Sequence, residues 1–235
     1  MRTFLHIVVA IVVVGLVLVG AFGILDVAAR HSFAVRAAYA DVRSLNIDSG
    51  SGNVTVTGDP GARAVTVTAH VTEGLFRPGR EASLRGGVLR VTASCRGFTP
   101  NCSVSYDVTV PAGIEVVASS GAGDVRALRL DSGASLVLSS GAGDISATDV
   151  RAGTIKLSSG AGNISAELGA PAQSLTASSG VGDINLEVPG TVAYSVDATS
   201  GVGHVSDSQI STQPNAPRRI HASSGTGDVS ITPVR

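Results

Sequence analysis

Seven polar residues follow a Gly-x-Gly pair at intervals along the chain: Asn53, Asp124, Asp144, Asn163, Asp183, His204 and Asp228. Regularly stacked carboxylates could ligate a divalent cation, and Gly-Asp repeats with a nine-residue period do bind calcium. Here the spacing is near twenty residues, and Asn and His interrupt the acids. A turn closed by side-chain hydrogen bonds accepts Asn as readily as Asp, and His less well. Neutral groups also relieve the repulsion between stacked carboxylates. The column therefore reads as a structural corner, with a metal ladder as the alternative.

Other chemistries fit less well. A phosphate loop needs a third glycine and a following helix. Arg126, Ser146, Ser165, Asn185, Ser206 and Ser230 stand where that glycine belongs, and no helical period follows. The five histidines, His6, His31, His70, His204 and His221, are scattered, and no Ser lies in a Gly-x-Ser-x-Gly elbow. With no Trp, and Tyr39, Tyr106 and Tyr194 the only tyrosines, there is little to build a sugar-stacking platform. No catalytic, cofactor-binding or metal-ligating residue is assigned, and no enzyme activity is expected. A net charge of −1 excludes the basic surface that nucleic acid requires. Asn53, Asn101 and Asn163 begin glycosylation triplets, read as chance matches.

Cys95 and Cys102 are the only cysteines and bracket the loop RGFTPN. The flanking runs VLRVTAS and SVSYDVTV alternate and could pair as a hairpin closed by a disulfide, which suits an oxidising compartment. Two unrelated thiols are the alternative. A zinc site lacks its second ligand pair.

The elements that position these residues come from internal repetition. The motif reads SSGAGDV at 119–125, SSGAGDI at 139–145, SSGAGNI at 158–164, SSGVGDI at 178–184, TSGVGHV at 199–205 and SSGTGDV at 223–229, with DSGSGNV at 48–54. Short alternating runs flank each copy, which is a strand pattern. Corner glycines are assigned at Gly121, Gly123, Gly141, Gly143, Gly160, Gly162, Gly180, Gly182, Gly201, Gly203, Gly225 and Gly227, where positive φ or close backbone approach is needed. The expected fold is all-β: a single-stranded parallel β-helix with coils of about twenty residues, each burying its apolar side against the next. Val125, Ile145, Ile164, Ile184, Val205 and Val229 are predicted to form one inward column, and Leu136, Ile155, Leu175, Tyr194 and Ile220 another. Residues 45–235 form this solenoid, less regular over 45–114 and regular over 115–235.

Ahead of it, residues 1–3 form a short flank, and Phe4 to Leu25 contains no formally charged side chain. As a helix its twenty-two residues would extend roughly 33 Å, enough to cross a bilayer. An uncleaved single-pass anchor is expected. The alternative is a signal peptide cleaved after the distant triplet Ala38-Tyr39-Ala40. Residues 26–44 read as a juxtamembrane linker, partly helical. Arg2 flanks one side, and Arg30, Arg36 and Arg43 the other, so charge does not fix orientation.

An apolar N-terminal segment, DSGSGNVTVTG, VLRVTASC…CSVSYDVTVPAGIEV and serial SSGAGDI units follow in that order. This order resembles the bacterial "putative adhesin" family built on a repeated β-helical domain of unknown function. The resemblance implies an exported, often membrane-tethered β-helix and supplies no catalytic residue. The resulting expectation is a membrane-anchored extracytoplasmic surface module, adhesin-like or envelope-sensing, with a protein or surface-glycan partner. The rivals are a β-helical polymer on the cytoplasmic face and a polysaccharide-acting enzyme. The run ending at Pro233 is expected to be the exposed last coil, either a guarded edge or a surface for end-to-end self-association.

Overall fold

The computed structural model describes residues 31–73, 77–95, 102–207 and 210–234. The flank 1–3, the apolar segment 4–25 and residues 26–30 lie outside the described residues, as does Asn101. Among the described residues, no helix is long and apolar enough to cross a membrane.

Among the described residues, alternating runs rich in Val, Ile and Thr form nineteen strands. In chain order they are β1 (His31–Tyr39), β2 (Ser44–Ser49), β3 (Val54–Gly58), β4 (Val65–Glu73), β5 (Gly79–Arg85), β6 (Val88–Ser94) and β7 (Ser103–Val110). They continue as β8 (Glu115–Ala122), β9 (Val125–Leu128), β10 (Ser135–Ala142), β11 (Ile145–Val150), β12 (Thr154–Ala161) and β13 (Ile164–Leu168). The last six are β14 (Ser174–Val181), β15 (Ile184–Val188), β16 (Ser195–Val202), β17 (Val205–Ser206), β18 (Arg219–Thr226) and β19 (Val229–Pro233).

The strands build two sheets, in the orders β1-β4-β7-β3-β9-β11-β13-β15-β19-β17 and β16-β18-β14-β12-β10-β8-β2-β6-β5. Each coil contributes one strand to each sheet, and neighbouring coils pair in parallel. The antiparallel pairings are confined to one end, where β4 packs on β7, β1 on β4, and β5 on β6. The parallel β-helix of the sequence reading is thus a two-sheet solenoid that ends as a short antiparallel sandwich.

Register explains the core. Leu136 sits beside Val116 and Ile155, Ile155 beside Leu175, and Leu175 beside Ile220. From the other sheet, Val54, Val125, Ile145, Ile164, Ile184 and Val229 stack in turn, all buried. Like side chains meet at strand spacing, so small aliphatics fill a thin lumen without aromatic bulk.

Several expectations need correction. Tyr194 is buried but does not belong to the Leu136 column; it bridges Thr212, and Val196 takes the place beside Ile220. Val205 is at the register position of Val229, but it is exposed because it belongs to the outermost coil. VLRVTAS and SVSYDVTV are not a hairpin: β6 and β7 lie in different sheets as two sides of one coil. The span 26–44, read as a partly helical linker, includes the strand β1. The last coil in sequence is not the last in space. β18 lies between β14 and β16, and β19 between β15 and β17. Pro233 therefore pairs with Val188 inside the stack. Its missing N–H falls on the β17 side, where that strand has already ended at Ser206.

Replacing Ile145 with Asp places an unpaired carboxylate in a dry column and is expected to lower unfolding free energy by about 3–5 kcal/mol. Ile145→Val should cost only about 1 kcal/mol. Urea titration followed by circular dichroism separates the two, and an equal small loss in both would mean the column is not sealed.

Candidate functional site

The residues with chemical potential meet at the corner between the sheets. At each regular coil the first glycine lies against the neighbouring backbone. A Cβ on Gly141 would stand 2.4 Å from the Gly121 carbonyl oxygen, nearer than any side chain tolerates. The second glycine is confined twice: Gly143 has φ of +150°, and its Cβ would meet the Gly123 oxygen at 2.4 Å. The two glycines thus differ in role. Gly121, Gly160, Gly180, Gly201 and Gly225 share the close approach of Gly141. Gly123, Gly162, Gly182, Gly203 and Gly227 share the positive φ of Gly143.

Two side-chain ladders run beside these glycines. From the motif at 119–125 onward, the second serine donates to the carbonyl of the second glycine in the adjacent coil, and it is buried in every such copy except Ser200 of the outermost coil, which is half-buried. Ser120 donates to Gly52 at 2.8 Å, Ser140 to Gly123 at 2.8 Å, Ser159 to Gly143 at 2.9 Å and Ser179 to Gly162 at 2.9 Å. Ser224 and Ser200 donate likewise to Gly182 and Gly227. These hydroxyls are occupied donors, not free nucleophiles.

The Asp/Asn column forms the second ladder. Oδ1 of Asn53 accepts the backbone N–H of Asp124 at 2.9 Å, and Asp124 accepts that of Asp144 at 3.0 Å. Asp144 accepts from Asn163, Asn163 from Asp183, Asp183 from Asp228, and Asp228 from His204, each at 2.8 Å. Only the oxygen is required, so Asn serves as well as Asp. His204 occupies the outermost coil and has no further coil to serve. Its ring instead lies 3.5 Å from the Asp228 carboxylate. At the opposite end Ser105 supplies the oxygen, accepting the Asn53 N–H at 3.1 Å. Among the described residues no three His, Cys, Asp or Glu side chains converge to hold a metal. The sequence missed this directional use of the column, although His at the outer coil was its visible sign.

In the β6/β7 coil the two glycine positions are held by other residues. Ser94 stands level with Gly50, Val104 lies against Gly52, and between them the chain leaves the coil at Cys95 and returns at Cys102. Their Cα atoms are 5.9 Å apart and the sulfurs are bonded. The pair closes an enlarged corner rather than a hairpin.

Next to that coil the two sheets part into a cleft of about 380 Å3, lined by Val35, Ala37, Tyr39, Val67, Ala69, Pro78, Arg80, Glu81, Ala82, Val91 and Tyr106. Burial pushes the Tyr106 phenol up to about 12, with the Arg80 guanidinium opposing and Asp48 adding to the rise. Nothing here forms an acid–base pair with it.

The chain belongs to the Toastrack DUF4097 family, whose profile matches residues 25–232. No curated protein matches it. Among solved structures it is similar to a "putative cell adhesion protein" from Clostridium sporogenes, at 14% identity over 87% of this chain and 100% of that one, with a TM-score of 0.56. It is also similar to a "putative adhesin" from Bacteroides fragilis, at 14% identity over 87% and 97%, with a TM-score of 0.46. At these identities the first likeness supports the fold alone.

Asp144→Asn should leave stability unchanged within about 0.5 kcal/mol, whereas Asp144→Leu leaves the exposed Asn163 N–H to water and should cost about 0.5–1.5 kcal/mol. Calcium or chelator should move neither melting temperature; a calcium-dependent rise in the unaltered protein would restore the metal ladder. Because the folded Tyr106 value lies above the unfolded phenol value of 10.0, its contribution is complete below pH 10 and is lost as pH rises through about 12. Stability of the unaltered protein should fall over that window more steeply than that of Tyr106→Phe, as followed by denaturant titrations at stepped pH.

Proposed function

We propose that this protein is a non-catalytic, extracytoplasmic rod of the cell envelope. Residues 4–25 tether it to the membrane, and the solenoid acts as an adhesin-like binding or sensing scaffold for a protein or surface glycan. The observation that carries this reading is the Cys95–Cys102 pair, which closes the corner where other residues hold the two glycine positions. A coil held open by a disulfide suits an oxidising compartment. The absence of a catalytic cluster among the described residues fits a scaffold, and the ladders supply the stiffness a rod requires. An uncleaved N-terminus also suits the fold. Cleavage after Ala40 would remove β1, which pairs with β4 along its whole length.

An end-to-end polymer would have to add to the outermost coil. There β16 leaves an edge of eight residues, but His204 offers no ladder oxygen and β17 is only two residues long, so the other half of an added coil lacks a seat. Single tethered rods are therefore the reading put forward over a filament.

Protease added to spheroplasts producing the full chain with a C-terminal tag should remove the tag, and a thiol reagent should label Cys95 and Cys102 only after reduction. A protected tag with freely labelled thiols after lysis would place the solenoid in the cytoplasm and overturn the proposal.

A further inference from the structure

At the β1/β5 end the lumen is left open. Phe33, Val35 and Ala37 of β1 lie level with the core residues Val71, Ala69 and Val67, so they share the inward face. Across the gap, Ala82 and Leu84 of β5 lie level with Val91 and Leu89. In the regular coils between the two ends such positions are sealed, but Phe33 is 41%, Val35 44% and Leu84 39% exposed. The facing alanines are too small to fill the cleft behind them. The result is an apolar mouth whose rim strands each have one edge with no strand beside it among the described residues.

Three observations bear on what covers it. The first is position: His31 lies six residues beyond Leu25, the end of the apolar segment, a span of at most about 20 Å when extended. The second is charge. Arg36, Arg77, Arg80 and Arg85 stand on or beside the rim strands, against Glu73 and Glu81. The Arg80 guanidinium lies 5.4 Å from the centre of the Phe33 ring. Arginine with aromatic and aliphatic side chains is the mixture that settles at the boundary of headgroups and acyl chains. The third is the backbone. The free edges of β1 and β5 need hydrogen-bonding partners, which water and phosphate oxygens provide and hydrocarbon does not. That limits the mouth to the headgroup layer.

We propose that this mouth is a membrane-contact face. It seats on the anionic phospholipid surface of the bilayer that holds residues 4–25, with Phe33, Val35 and Leu84 at the acyl boundary and Arg80 and Arg85 on phosphates. The inference rests on the tethered reading above. It sets the rod upright, with the His204 coil farthest from the bilayer.

The chain contains no tryptophan, so a single introduced one reports its own surroundings. The full chain carrying Phe33→Trp is reconstituted in phosphatidylcholine and phosphatidylglycerol vesicles and quenched with brominated lipid; Val35→Trp serves if the first variant folds poorly. Val202→Trp, in the outermost coil, is the far-end control. The mouth probe should lose roughly half its emission while Val202→Trp loses none, and Arg80→Glu with Arg85→Glu should weaken the quenching. An unquenched mouth probe on chains that float with the vesicles would overturn the docking and leave the tether intact. A blue-shifted but unquenched probe would mean that a second copy covers the mouth, which also overturns it. Failure to float would remove the tether and the docking together.

Discussion

The distance between corner backbones governs this molecule. The second glycine of each coil presses so closely on the carbonyl of its neighbour that a methyl group there would sit at 2.2–2.5 Å. Everything else in the corner follows from that approach. It brings the carbonyl within reach of the next coil's serine, and it places each Asp or Asn oxygen at the amide one coil further on. With the corner fixed, the strands on either side fall into register, and like aliphatics meet like. The polar corner and the apolar column are therefore one device: the first sets the spacing at which the second can close.

Much of this was readable in the chain. Six serial copies of one motif require equivalent coils, and alternation on each side of the glycines identifies the inward residues, as Ile145 and Ile164 illustrate. What could not be read was the order of coils at the ends. Every coil carries the same corner chemistry, so the motif cannot say which coil is its neighbour. β2/β3 comes first among the coils, yet it stacks inside β6/β7. Tyr194 was misassigned by size and apolar character: Leu136, Ile155, Leu175 and Ile220 each lie three residues before their motif, a spacing that Val196 keeps, while Tyr194 lies further back and bridges Thr212 before β16 begins. The cysteine pair looked like a hairpin because two alternating runs flank a short loop. A coil with an enlarged corner has the same local sequence.

The two ends of the ladder are chemically distinct. A directional hydrogen-bond series needs an oxygen at its start and only an amide at its finish, and Ser105 and His204 meet those two needs. The end at β17 finishes simply. The opposite end runs into antiparallel strands that widen the lumen and abandon the repeat. This asymmetry is why that end, and not the regular coils, carries the cleft, the disulfide-closed corner and the exposed aromatic ring of Phe33.

The placement of β18 and β19 bears on the timing of assembly. During synthesis β16 and β17 emerge while the strands they must rest against do not yet exist. The growing chain therefore has to hold 195–206 in reserve until residues 219–233 have been made and slotted beneath them. The regular coils before that point can add one by one as they appear, each on a finished neighbour. Completion of the far end is instead a single later event that depends on residues 219–233. A ribosome stopped short of Arg219 would leave the stack ending at β14 and β15, with one tail unable to find its seat.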